Sequence, residues 1–140
     1  MAFKKAININ VLNIISNYCI ENNIECYVVG GFVRDFIVNR KCKEADLLVI
    51  GDAINLAKKI AKKLDPSISV TIFKNFGTAY FKYEDFDIEF VGARKESYSR
   101  NSRNPKVEIG TFSDDINRRD FKINSLAISL NKKDYGKLID

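Results

Sequence analysis

The sequence contains no histidine and no tryptophan, and it has only two prolines, one methionine and three cysteines. Without histidine there is no Ser/His or Cys/His nucleophile pair and no imidazole ligand for zinc. Cys19, Cys26 and Cys42 are odd in number and lack CxxC spacing, so they read as reduced thiols of a cytoplasmic protein. No stretch approaches the roughly 18 apolar residues of a membrane span. The opening MAFKKAININ also lacks the apolar core of a signal peptide. Repeats and low-complexity tracts are missing as well. These absences lead to the expectation of a cytoplasmic chain with no membrane partner.

What is present fits one domain over residues 1–140, since 46% of the residues are hydrophobic and can bury a core between two layers. A second full domain does not fit. The net charge of +5 and pI near 9.1 lean toward an anionic partner, but a solvated basic face accounts for them equally well.

Val11, Ile14, Ile15, Tyr18 and Cys19 recur at helical spacing and predict a helix over about residues 8–22. Glu25 to Val29 reads as a short buried strand that runs into Gly30-Gly31 and then a second helix. Ala45 to Ile50 is another apolar strand, and Gly51-Asp52 caps a third helix that ends at Asp65-Pro66. Ile68 to Phe73, Thr78 to Tyr83 and Phe86 to Val91 have the pattern of an antiparallel meander. Arg94 to Gly110 is polar and turn-rich and reads as a mobile loop. Asp114 to Asp120 looks helical, and Ser125 to Leu130 alternates as a last strand. The expected class is α+β or mixed α/β.

Four segments carry chemistry. In YVVGGFVRD, the two glycines let a phosphate approach the backbone at a helix start, and Arg34 can add a charged fork; a plain tight turn competes with this reading. In KEAD, Glu44 and Asp46 share one strand face while Ala45, Leu47 and Val49 share the other. Two carboxylates side by side repel unless a cation or proton lies between them. Such a pair suits Mg²⁺, which takes oxygen ligands, although an acidic strand entry facing solvent looks the same. In FDIEFV, Asp87 and Glu89 share a face; mid-strand Glu89 is the candidate third carboxylate, and Asp87, nearer the turn, reads as solvated. In DDINRRDF, Arg118 and Arg119 cannot point the same way, so one can pair structurally while the other faces a cleft; a salt-bridged surface helix is an equal reading.

Taken in order, these segments resemble the head domain of class II CCA-adding enzymes and bacterial poly(A) polymerases, of the polymerase-β nucleotidyltransferase superfamily. The family pattern of two glycines, x-V-R-D, a spacer and a D-x-D pair is met by GGFVRD and KEAD. FKNFGTAYFKY, IEFVGARKESY and RRDFKINSLA resemble the later stretches, so the likeness runs from about Tyr27 to Asp140.

The resemblance implies an α+β nucleotidyltransferase fold, polymerase-β-like, with a mixed and mostly antiparallel sheet flanked by helices. It also implies that Gly30, Gly31 and Arg34 hold a triphosphate, that Glu44 and Asp46 hold two Mg²⁺ ions, and that Glu89 is the third acidic group. Arg119 would contact the nucleotide and Asp120 its ribose. The stretch from Arg94 to Arg103 would correspond to the family's flexible element. The implied partners are ATP or CTP and RNA, with the tRNA 3′ end as acceptor.

The implied reaction is attack of an RNA 3′-hydroxyl on the α-phosphorus of the triphosphate. A poly(A) polymerase head shares the same motifs. Two departures stand out. Glu44 replaces the family's usual aspartate, and the family's base-selecting motif and RNA-gripping body lie beyond the position of Asp140. They motivate a further alternative, a head that binds nucleotide or RNA without turnover.

Overall fold

The computed structural model describes residues 4, 5, 7–37, 43–97, 106–109 and 126–139. Helix α1 (Asn10–Glu21) buries Val11, Ile15 and Cys19 of the expected stripe together with Leu12, while Ile14 and Tyr18 are only half-buried, so the inward face is turned toward Leu12. Strand β1 (Glu25–Val29) follows and leads through Gly30 into α2 (Gly31–Ile37), which buries Phe32 and Val33. Strand β2 (Glu44–Ile50) precedes α3 (Ala53–Leu64). The Asp52 side chain accepts a 3.0 Å hydrogen bond from the Asn55 amide, satisfying one of the amides a helix start leaves unpaired.

Strands β3 (Thr71–Phe73), β4 (Thr78–Tyr83) and β5 (Phe86–Gly92) form the expected antiparallel meander. β3 is shorter than the alternation suggested, because residues 68–70 have no strand partner. Arg94 to Gly110, read as a loop, instead supplies β6 (Arg94–Ser97) and β7 (Lys106–Ile109), paired antiparallel as a separate ribbon. β8 (Ala127–Ser129) is the last expected strand, and β9 (Leu138–Ile139) pairs with it. The helix expected over residues 114–120 lies outside the described residues.

Among the described residues the main sheet has seven strands in the order β3-β4-β5-β2-β1-β8-β9. Only β2 and β5 are parallel; every other neighbouring pair is antiparallel. This is the mixed, mostly antiparallel sheet flanked by helices that the resemblance implies.

One face of the sheet is covered. Val28, Leu47, Phe81, Ile88 and Phe90 pack there with Ile15 of α1 and Leu56 and Ile60 of α3. The rings of Phe81 and Phe90 stack with centroids 5.6 Å apart, and both residues are fully buried. Either one changed to alanine should cost about 3–5 kcal/mol, because the lost contacts and the residual cavity add. Urea unfolding followed by circular dichroism checks this, and a loss below about 1 kcal/mol would contradict the packing. The opposite face carries a smaller apolar cluster, Tyr27, Val29, Leu48, Ala93 and Ala127. On the same face Asp46, Asp87 and Glu89 are half-buried beside that cluster. Cys19 and Cys26 are buried free thiols, and Cys42 lies outside the described residues.

Candidate active site

This second face is acidic at one end of β2 and β5. Ala45, Leu47 and Val49 point into the core, so the alternation of β2 turns Glu44 and Asp46 to the other side. In the parallel ladder Glu44 pairs with Asp87 and Asp46 with Glu89, and residues paired in register share a face. Four carboxylates therefore stand on two neighbouring strands about 4.8 Å apart. Asp46, Asp87 and Glu89 are half-buried and Glu44 is exposed.

The glycine turn abuts this group. Val29 is the antiparallel partner of Asp46, so the chain leaving β1 passes beside the Asp46 carboxylate. Gly30 has φ 75°, a left-handed conformation, and a Cβ placed there would lie 2.9 Å from Asp46 Oδ2. Space and backbone both require glycine at this position. A Cβ on Gly31 would lie 3.2 Å from Arg34 Nη2, which places the guanidinium over the start of α2. Arg34 Nε also donates to Asp35 Oδ1 at 3.2 Å.

The sequence reading missed Tyr80 and misjudged Asp87. Tyr80 is the register partner of Glu89 on β4, and its hydroxyl donates to Asp87 Oδ1 at 2.5 Å. Asp87 is thus engaged on this face and is not a solvated turn residue. The Tyr80 phenol is held above its ordinary pKa, first by the bond to Asp87, then by desolvation and by the charges of Asp87 and Glu44. An aromatic residue alternating with Ala79 and Phe81 was the available clue, but its diagonal contact with Asp87 depends on register.

Among the described residues, no three of histidine, cysteine, aspartate and glutamate converge tightly enough to hold a metal ion. Asp46 reaches over Gly30, Asp87 is tied to Tyr80 and Glu44 is exposed. The donor chemistry nonetheless suits a hard cation, since the groups gathered here offer only oxygen. Arg119 and Asp120 lie outside the described residues, and so do Arg100 and Arg103. A cavity of about 390 Å³ at the Glu25 end of β1, beside Lys132 and Asp134, and another of about 330 Å³ beside Tyr18, Asp52 and Lys59 contain none of the expected residues.

A model of the poly A polymerase head domain matches residues 26–140. The chain belongs to the poly A polymerase head-domain family. It is 44% identical over 117 residues to the A-adding tRNA nucleotidyltransferase of Aquifex aeolicus (strain VF5), covering 84% of this chain and 14% of that protein. To the CCA-adding enzyme of Lactobacillus johnsonii it is 31% identical over 122 residues, covering 86% of this chain and 28% of that protein. The chain therefore spans less than a third of either relative.

Among solved structures, it is similar to a tRNA nucleotidyltransferase complexed with a primer tRNA and an incoming ATP analog. The TM-score is 0.74 at 36% identity, covering 90% of this chain and 34% of that one. It also resembles an apo CCA-adding enzyme, with TM-score 0.80 at 33% identity, covering 100% of this chain and 34% of that one. The glycine turn and the paired carboxylates thus sit in a domain whose relatives are nucleotidyltransferases. Among the described residues, no helix is long and apolar enough to cross a membrane.

Proposed function

We propose that this chain is the catalytic head of a template-independent RNA nucleotidyltransferase, transferring CMP or AMP from CTP or ATP to a tRNA 3′ end in the cytoplasm. The observation that carries this reading is the juxtaposition of Gly30 with Asp46, and of Asp46 with Glu89, on one face of the sheet. The glycine turn lies directly against the paired carboxylates. The family membership and the named relatives support the same chemistry.

The residues divide the work by position. Gly30 and Gly31 leave room for the triphosphate, and Arg34 supplies positive charge beside it. Asp46 and Glu44, with Glu89 on the adjacent strand, would hold Mg²⁺. Bound there, Mg²⁺ would supply charge neutralisation at the phosphates and a lowered pKa for the attacking hydroxyl. Arg119 and Asp120 would address the nucleotide and its ribose. In the reaction the RNA 3′-hydroxyl gives up its proton to water as its oxygen bonds to the α-phosphorus, the bond from the α-phosphorus to the bridging oxygen breaks, and pyrophosphate leaves.

Arg34→Ala should weaken ATP and CTP binding alike, by roughly tenfold or more, because both carry the same triphosphate and the lost bond is charge-assisted. Calorimetric titration of both nucleotides checks this. A loss confined to one of them would mean that Arg34 reads the base, and unchanged affinity for both would remove it from the site.

A further inference from the structure

Three of the exposed large hydrophobic residues, Ile72, Phe73 and Phe76, lie together on β3 and the 3₁₀ turn Lys74–Phe76 that follows it. Phe73 is 48% and Phe76 55% exposed, and among the described residues β3 is the edge strand of the sheet. Solvent-facing aromatics clustered in this way call for an occupant.

Register places one of them on the acidic face. Ala79 and Phe81 point into the core, so Thr78 and Tyr80 face the other way, and their β3 partners Phe73 and Thr71 share that side. One row across the sheet therefore reads Thr71, Tyr80, Glu89, Asp46, Val29. Phe73 stands two residues along from that row, two strands beyond Glu89. Two strand spacings and two residues of rise amount to roughly 12 Å.

The direction of the reaction then matters. Attacking and leaving oxygens stand roughly in line on opposite sides of the phosphorus. In the function proposed above, Gly30, Gly31 and Arg34 hold the phosphates on the β1 side of Asp46. The attacking hydroxyl must then arrive from the opposite side, across β5, β4 and β3. That approach is lined by Tyr80 and Phe73, with exposed Lys74 and Lys82 beside them.

We propose that β3 and β4 form the track for the single-stranded RNA 3′ end, on which Phe73, extended by Phe76, stacks a base just upstream of the reacting nucleotide while Lys74 meets the backbone. The chemistry suits the ligand. Every base offers a π-face, so a stacking platform tolerates whichever base occupies the growing end, and lysine adds a phosphate contact without reading sequence. The proposal rests on the function above, because that function fixes which side the hydroxyl comes from.

The test uses residues 1–140 and a short single-stranded RNA carrying 2-aminopurine one position from its 3′ end. Stacking on Phe73 should quench the fluorophore when wild-type protein binds. Phe73→Ala should abolish the quench and weaken RNA binding about tenfold, while Phe73→Trp restores both. ATP affinity should be unchanged in each. Lys74→Ala should reduce the slope of log affinity against log salt by about one contact, and Phe73→Ala should leave that slope alone.

Equal quench and equal RNA affinity in Phe73→Ala, with Arg34→Ala still impairing ATP binding, would overturn the track and leave the proposed function standing. If wild-type protein binds neither ATP nor RNA, both fall. A concentration-dependent dimer dispersed by Phe73→Ala with RNA binding unchanged would assign the patch to a second copy of this chain and also overturn the proposal. Phe73 is half exposed, so its variants should unfold at the wild-type urea midpoint.

Discussion

Gly30→Ala should lower nucleotidyl transfer about a hundredfold while removing only about 1–2 kcal/mol of stability. Two features act at this position. Its φ of 75° disfavours any residue with a Cβ, and the added atom would meet Asp46 Oδ2 at 2.9 Å. The backbone term is paid mainly in stability. The steric term moves a carboxylate of the site, and a displacement on the order of 1 Å at a reacting centre costs about 10²-fold in rate. Gly51 provides the control. Its φ is also positive, at 137°, but a Cβ there meets nothing within 4 Å, and it lies at the far end of β2 from Asp46. Gly51→Ala should therefore lose stability without losing nucleotide affinity. Urea unfolding and single-turnover transfer rates on both variants separate the terms. Equal activity losses in the two would show that backbone strain alone is responsible and that the Gly30–Asp46 contact is incidental.

Asp46→Ala should uncouple the nucleotide from the divalent cation. In the proposed site each ligand favours binding of the other, and such coupling commonly amounts to about 5–150-fold in affinity. Removing the carboxylate that lies between the phosphate turn and Glu89 should bring that factor close to one. Titrating ATP at low and saturating Mg²⁺, and Mg²⁺ with and without ATP, measures the coupling from both directions, which must agree. Persistence of the wild-type factor in Asp46→Ala would remove Asp46 from the site. Asp87→Asn is a useful comparison, because Asp87 is already held by Tyr80 and should affect coupling much less.

The parts of this site that were legible in the sequence are those set by local periodicity. The apolar stripes of α1 and α3, the Asp52 cap, and the run from β1 through Gly30 into α2 all follow from spacing within a few residues. The same holds for Glu44 and Asp46 sharing a face, because alternation requires it. What escaped depends on pairing between distant segments. Mid-strand position singles out Glu89 as the third carboxylate, but nothing local says that β2 runs parallel to β5 or that the register sets Glu89 opposite Asp46. The Tyr80–Asp87 bond is a cross-strand diagonal that exists only once β4 and β5 are in register. The polar composition of β6 and β7 suggests a loop; they pair as a ribbon apart from the main sheet, and backbone hydrogen bonding can hold strands without an apolar signature. β9 has two residues, too few for any alternation to register.

Glu44 remains the clearest departure from the family pattern. It opens β2 in register with Asp87, is exposed, and carries one methylene more than the aspartate the motif leads one to expect. Transfer by this site is therefore expected to be slow, and the assay must tolerate that. The most direct test incubates excess protein with tRNA lacking its 3′-terminal CCA, Mg²⁺, and CTP and ATP labelled at the α-phosphorus, through a single turnover. Label should appear on the RNA 3′ end with pyrophosphate released in equal amount, and Asp46→Ala should leave the RNA unlabelled. No labelled RNA from wild-type protein, or labelling that survives in Asp46→Ala, would contradict a nucleotidyltransferase site built on Gly30, Asp46 and Glu89.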